Sequence, residues 1–89
     1  MMKCNLGDIV LSKNGKYENE YFVVTAILDD NYILLANGKT RKLVNPKKKK
    51  VIHITFCSHN KILEQKFKNN AYILDSDIRK ALSNYKIST

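Results

Sequence analysis

Apolar positions in the first half of the chain come in short runs separated by turn-forming residues; in the last third they return at helical spacing. Asp8 to Lys13 follows Gly7 and is rich in β-branched residues, so a first strand is expected there. A polar loop, Asn14 to Glu20 with Gly15 inside it, leads to Tyr21-Phe22-Val23-Val24-Thr25-Ala26-Ile27-Leu28, the strongest strand pattern in the chain. Asp29-Asp30-Asn31 then reads as a tight turn, because short Asx side chains tolerate left-handed backbone. Tyr32 to Ala36 is the third strand. Asn37-Gly38 has the form of a two-residue hairpin connection, since a type I′ turn needs positive φ at both central residues. Thr40-Arg41-Lys42-Leu43-Val44 is accordingly expected to return as a fourth strand, stopped by Pro46, which cannot donate to a ladder. Val51 to Phe56 is the fifth, with Val51, His53 and Thr55 on one face and Ile52, Ile54 and Phe56 on the other.

The period then changes. Asn60 to Asn69 predicts a short helix with Ile62, Leu63 and Phe67 on one side. Ile78, Leu82 and Tyr85 fall at i, i+4 and i+7 with Ala81 beside them, so a second amphipathic helix is expected there. Asp75 or Ser76 suits its N-cap, and Asp77 its first turn. A helix of about ten residues is not stable alone, so it must dock on the barrel or on a partner. Five short strands with tight turns followed by helical elements point to a mainly β fold, a small barrel that leaves few strand edges exposed. The expected division is a barrel over residues 1–56 and a helical C-terminal extension over 57–89.

At 89 residues the chain has room for one domain and one modest core. Its 44% hydrophobic and 27% charged residues place it among globular proteins rather than disordered ones. The start, Met1 to Asp8, has no long apolar stretch and is not expected to be a signal peptide. No run approaches the roughly 18 apolar residues of a membrane span, so a cytoplasmic protein is expected. Cys4 and Cys57 are then expected to be reduced thiols rather than a disulfide.

Charge narrows the partner. The net charge is +8, which calls for a polyanion or an acidic surface. All eight acids lie outside Asn31 to Leu63, and that stretch holds Lys39, Arg41, Lys42, Lys47, Lys48, Lys49, Lys50 and Lys61, so the entire net charge sits in the middle of the chain. A run of lysines can be a solvated loop that only keeps a protein soluble; the absence of acids around this one favours a binding footprint. Each lysine that neutralises a phosphate releases a condensed counterion, giving salt-sensitive affinity. Ammonium groups on flexible stems position a nucleic acid but do not read it. Arg41 is the best candidate for a directional contact, because a guanidinium can stack on a base or grip a phosphate with two bonds. Lys39 and Arg41 are expected to project from one strand face, with Lys47 to Lys50 mobile after Pro46.

The stretch Gly7 to Ile54 resembles the KOW family of ribosomal proteins and transcription elongation factors. The likeness rests on Gly7-Asp8-Ile9-Val10, on Gly15-Lys16 after a short strand, and on Phe22-Val23-Val24 with Ile27 beyond. Gly15 stands at the family's hallmark glycine. Three further segments resemble small bacterial KOW proteins similar to archaeal and eukaryotic large-subunit ribosomal proteins: Gly38-Lys39-Thr40-Arg41-Lys42-Leu43, Asn45-Pro46-Lys47-Lys48-Lys49-Lys50, and Ile78-Arg79-Lys80-Ala81-Leu82. The resemblance implies a five-stranded SH3-like barrel and binding of structured RNA, ribosomal RNA foremost, in a translation-related role that can also bring it against ribosomal proteins. One departure stands out. The family's loop after the hallmark glycine is basic with a second glycine, whereas this chain has Lys16-Tyr17-Glu18-Asn19-Glu20. Asn19 can take the left-handed conformation, but Glu18 and Glu20 would face phosphates badly, which opens that loop to a protein partner.

The candidate RNA-binding set is therefore Lys13, Lys16, Tyr17, Lys39, Arg41, Lys42, Lys47, Lys48, Lys49 and Lys50. Tyr17 is the candidate stacking residue; Tyr32 and Tyr85 are expected in the core. His53, Cys57 and His59 would share a strand face, but H-x3-C-x-H matches no standard zinc pattern, so no metal is expected. Cys57 and His59 on an extended strand would be about 7 Å apart, beyond the reach of a nucleophile–base pair. No phosphate-cradling glycine loop is present, and neither catalysis nor a cofactor is expected. The alternative function is an SH3-like protein-interaction module, for which the acidic loop speaks and the absence of an aromatic cluster speaks against. A membrane-surface role lacks the flanking amphipathic helix it would need. A monomer is expected.

Overall fold

Three of the strands form where β-branched and aromatic residues cluster and carry most of the buried positions of the sheet. In the computed structural model, which describes residues 4–13, 15 and 18–85, β1 is Asp8–Ser12, β2 Tyr21–Ile27, β3 Tyr32–Ala36, β4 Lys47–Lys50 and β5 Ile54–His59. They make one antiparallel sheet in the order β4-β3-β2-β1-β5. The sheet is not closed; β4 and β5 are its edges. Bulges interrupt the β1–β5 register between Ile9 and Val10 and the β2–β3 register between Val24 and Ala26. Such bulges sharpen strand twist and bend a sheet.

Val10, Phe22, Val24, Ile33, Leu35 and Ile54 fill the inner core, each almost without solvent exposure. Val51 joins them from a 3-10 turn, Val51–His53, between β4 and β5. That turn bridges two strand ends: Val51 N–H donates to Asn31 O before β3, and Lys13 N–H donates to His53 O after β1. The opposite face of β1 and β2 presents Ile9 and Val23, buried against two helices, α1 (Lys61–Lys68) and α2 (Asp75–Leu82), through Leu63 and Ile78. Tyr85 packs there too, its ring 5.7 Å from that of Tyr21. The continuous apolar run in β2 thus reflects burial on both faces, not a mixed signal.

Several expectations are corrected. Asn37-Gly38 is not a hairpin turn and Thr40–Val44 is not a strand. Gly38 has positive φ but Asn37 does not. Instead the buried Asn37 side chain accepts from Lys39 N–H and Arg41 N–H, both at 2.9 Å, and donates to Thr40 Oγ1 at 3.0 Å. Leu43 N–H donates to Asp75 Oδ1 at 2.8 Å. Backbone donors that a strand would offer to a neighbour are taken by side chains. Since 40–44 is a loop, Lys39 and Arg41 do not share a strand face.

The fourth strand is the lysine run itself, which is ordered on β3 rather than a mobile loop. Pro46 stands just before it, where its missing N–H costs no ladder bond. Lysine is a residue that native proteins use to guard exposed edges. The fifth strand begins three residues later than expected, and Ile52 and Phe56 are exposed while Ile54 is buried. β5 also runs past the expected domain boundary at residue 56. In α1, Asn60 caps Leu63 N–H at 2.9 Å, and Ile62 points to solvent rather than inward. In α2 the capping residue is Leu74, whose N–H donates to Asp77 Oδ2 at 2.9 Å; Asp75 is the first helical residue, freed to hold Leu43.

Candidate nucleic-acid interface

Pairing with β3 sorts the four lysines of β4 onto two faces. Lys47 and Lys49 stand opposite Leu35 and Ile33, so they lie half-buried on the side of the inner core. Their methylene stems can cover its rim. Lys48 and Lys50 stand opposite Leu34 and Tyr32 and are exposed on the outer face. There the Lys48 ammonium sits 4.6 Å and the Lys50 ammonium 5.8 Å from the centroid of the Tyr32 ring. Both are within cation–π range, and the ring's negative face draws them. Tyr32 belongs to neither buried cluster, which corrects its expected core position. Asn31, Tyr32, Lys50 and Ile52 together line a hollow of about 260 Å3.

The remaining predicted residues are dispersed. Lys13 is exposed just after β1, and Lys16 and Tyr17 lie outside the described residues. Lys42 is exposed and Arg41 half-buried in the loop between β3 and β4. Lys39 lines a separate groove of about 600 Å3 with Glu20, Tyr21, Arg79 and Tyr85. That groove mixes an acid with two cations and is a poorer match for a polyanion than the outer face of β4. Gly38 fixes its wall: Arg79 Nη1 donates to Gly38 O at 2.6 Å. Asn19 takes the left-handed conformation expected of it, with φ of 67°. Gly15 approaches the lysine strand, with Lys49 Nζ 3.7 Å from where a Cβ on Gly15 would lie. Gly15 thus lies near Lys49 on the inner side, whereas Lys48 and Lys50 are turned to the outer face.

Of the His53, Cys57 and His59 trio, His59 has a different setting from any expected. Its Nδ1–H donates to Asp8 Oδ1 at 2.6 Å and its Nε2–H to Glu64 Oε1 at 2.9 Å, and Lys68 Nζ donates to Glu64 Oε2 at 3.0 Å. Asp8 is buried and also accepts from Asn5 N–H at 2.8 Å. With a carboxylate on each nitrogen, the imidazolium is favoured. The pKa is raised above its ordinary value, first by the hydrogen bond to Asp8 and next by that to Glu64. Glu64 is in turn lowered, chiefly by the Lys68 hydrogen bond and then by His59. Burial raises both thiols, Cys4 and Cys57, and both are free. Among the described residues no group of three His, Cys, Asp or Glu side chains is arranged to hold a metal, and no helix is long and apolar enough to cross a membrane.

Sequence reasoning missed the half-buried Tyr32 and the exposed Ile52 as neighbours of the outer-face lysines, and Asp8 and Glu64 as partners of His59. The signal for Tyr32 was available only through the register, because it is the pairing of Tyr32 with Lys50 that brings ring and ammonium together. No protein-family model matches the chain, and no curated protein matches it significantly.

Proposed function

We propose that this chain is a non-catalytic RNA-binding module, an SH3-like barrel of the KOW kind, acting in the cytoplasm on structured RNA and foremost on ribosomal RNA. The observation that carries the reading is the ordered lysine strand: four consecutive cations fixed on a sheet edge, two of them on an open outer face beside an aromatic ring. Fixing the backbone of these residues in the free protein lowers the ordering cost of binding. A strand order with β5 returning to β1, and two bulges that bend the sheet, support the barrel reading. A histidine engaged by carboxylates on both nitrogens supports a binding role over a catalytic one. The role in translation rests on the resemblance alone.

Binding to a hairpin RNA across a salt series tests the reading. Wild type is expected to lose affinity steeply with salt, and Lys48→Gln/Lys50→Gln to give a log–log slope shallower by about 2 if each ammonium meets one phosphate. An unchanged slope, or no RNA affinity at low salt, rejects it and leaves the protein-interaction alternative.

A further inference from the structure

We propose that Tyr32 is a stacking platform for a single unpaired base, with Lys48 and Lys50 taking the phosphates on either side of that nucleotide. The inference rests on the RNA-binding reading and names the part of the RNA this face would hold. Four observations carry it. The first is that Tyr32 is half-buried, on the outer face and outside both buried clusters. The second is that the backbone beneath it is held firmly. Tyr32 N–H donates to Asp29 Oδ1 at 2.9 Å, Tyr32 O accepts from Leu28 N–H at 3.0 Å, and the residue pairs with Lys50 in the ladder. A platform fixed before binding loses little entropy when a base settles on it. The third is that the two ammonium groups already lie over the ring, 4.6 and 5.8 Å from its centroid. A nucleotide offers each group a better partner: a phosphate for the ammonium and a π-face for the ring. The flexible stems let the cations swing outward as the base enters.

The fourth observation is the shape of the site. The hollow of about 260 Å3 beside the ring is lined by Asn31, Lys50 and the exposed Ile52. It is smaller than the roughly 300–1,000 Å3 of a drug-sized pocket, so it suits one planar ring rather than a whole cofactor. Ile52 gives an apolar edge for that ring, and Asn31 brings an amide that can both donate and accept at a base edge. The combination of cations that follow a backbone with an aromatic that takes a base is the one that distinguishes unpaired nucleotides from duplex.

The test compares a hairpin RNA with an unpaired loop against a blunt duplex of the same stem. The proteins are wild type, Tyr32→Phe, Tyr32→Leu and Lys48→Gln/Lys50→Gln, with thermal unfolding of each as the folding control. Tyr32→Leu is expected to weaken hairpin binding by roughly 5- to 150-fold, the value of one stacked base. It should leave duplex binding and the salt slope unchanged, since no phosphate contact is lost. Tyr32→Phe keeps the ring and should bind the hairpin as wild type does. The proposal is overturned if Tyr32→Leu binds the hairpin like wild type, or weakens hairpin and duplex alike, while the double lysine variant still shows the shallower slope; RNA binding then stands without the stacking site. If the wild type binds neither RNA at low salt, both readings fall.

Discussion

Gly38 lies with φ of +78° directly under the first turn of α2. A Cβ there would come within 2.5 Å of Asp75 O and 2.8 Å of Arg79 Cγ. The nearby Asn37 bonds and the Arg79 bond to Gly38 O tie this loop down, so the backbone has little freedom to yield. Gly15 has a similar φ of +82°, but among the described residues its nearest neighbour is Lys49 Nζ at 3.7 Å, the far end of a flexible side chain. The two glycines therefore separate conformational strain from close packing. Gly15→Ala is expected to cost about 1–2 kcal/mol, the left-handed penalty alone. Gly38→Ala adds a clash with backbone and should cost about 3 kcal/mol or more. Urea midpoints of the two variants check this; equal losses would show that the α2 contact is soft. At this scale the sequence marked Gly38 as special for the right local reason, its tolerance of positive φ. It assigned the wrong turn because the asparagine before it spends its side chain on the loop, not on a hairpin.

Among the elements, β4 shows what a one-dimensional pattern hides. Lysine has no strong strand propensity, and four in a row carry no alternation, so nothing local announces a strand. The pairing becomes visible only once Ile33 and Leu35 are known to face inward, because the lysines opposite them must then lie at the rim. Conversely Thr40–Val44 has the composition of a strand and lost its ladder to Asn37 and Asp75. His59 makes a second connection that spacing cannot reveal. It joins the end of β5 to β1 through Asp8 and to α1 through Glu64, residues 51 positions away and five positions on. The link has a pH signature. Since the folded-state pKa of His59 is raised above its unfolded value near 6.5, its stabilisation is fully present below about pH 6.5 and is lost as pH rises through the folded value. Thermal midpoints of the wild type should therefore decline from about pH 6.5 upward. His59→Gln, which carries no charge in this range, should flatten that decline. A wild-type midpoint that holds or climbs over the same interval would mean that the carboxylates do not favour the imidazolium.

At the level of the whole molecule, the sequence led to a barrel with a helical extension docked on it, and in the structure the helices pack on β1 and β2. Ile9 and Val10 are neighbours in β1, yet one faces the helices and the other the inner core; Val23 lies between Phe22 and Val24 in the same way. The inner core and the helix-covered core are thus two sides of the same pair of strands. Neither side keeps its shape if those strands melt, and losing α1 and α2 would uncover apolar surface at Ile9 and Val23. A single cooperative transition is therefore expected. Leu35→Ala in the inner core and Ile78→Ala on α2 both remove fully buried side chains, and each should cost about 2–5 kcal/mol. Far-ultraviolet circular dichroism follows the backbone as a whole. Tyrosine emission, unobscured because the chain has no tryptophan, follows among others the Tyr21–Tyr85 pair between β2 and the segment after α2. The two signals should superimpose in the wild type and move together in both variants. Were α2 an independent appendage, Ile78→Ala would shift tyrosine emission to lower denaturant while leaving most of the dichroism in place. The alternation of burial along β1 and β2 argues against that, because a helix whose contact residue lies between two inner-core residues of β2 cannot detach without uncovering the middle of the sheet.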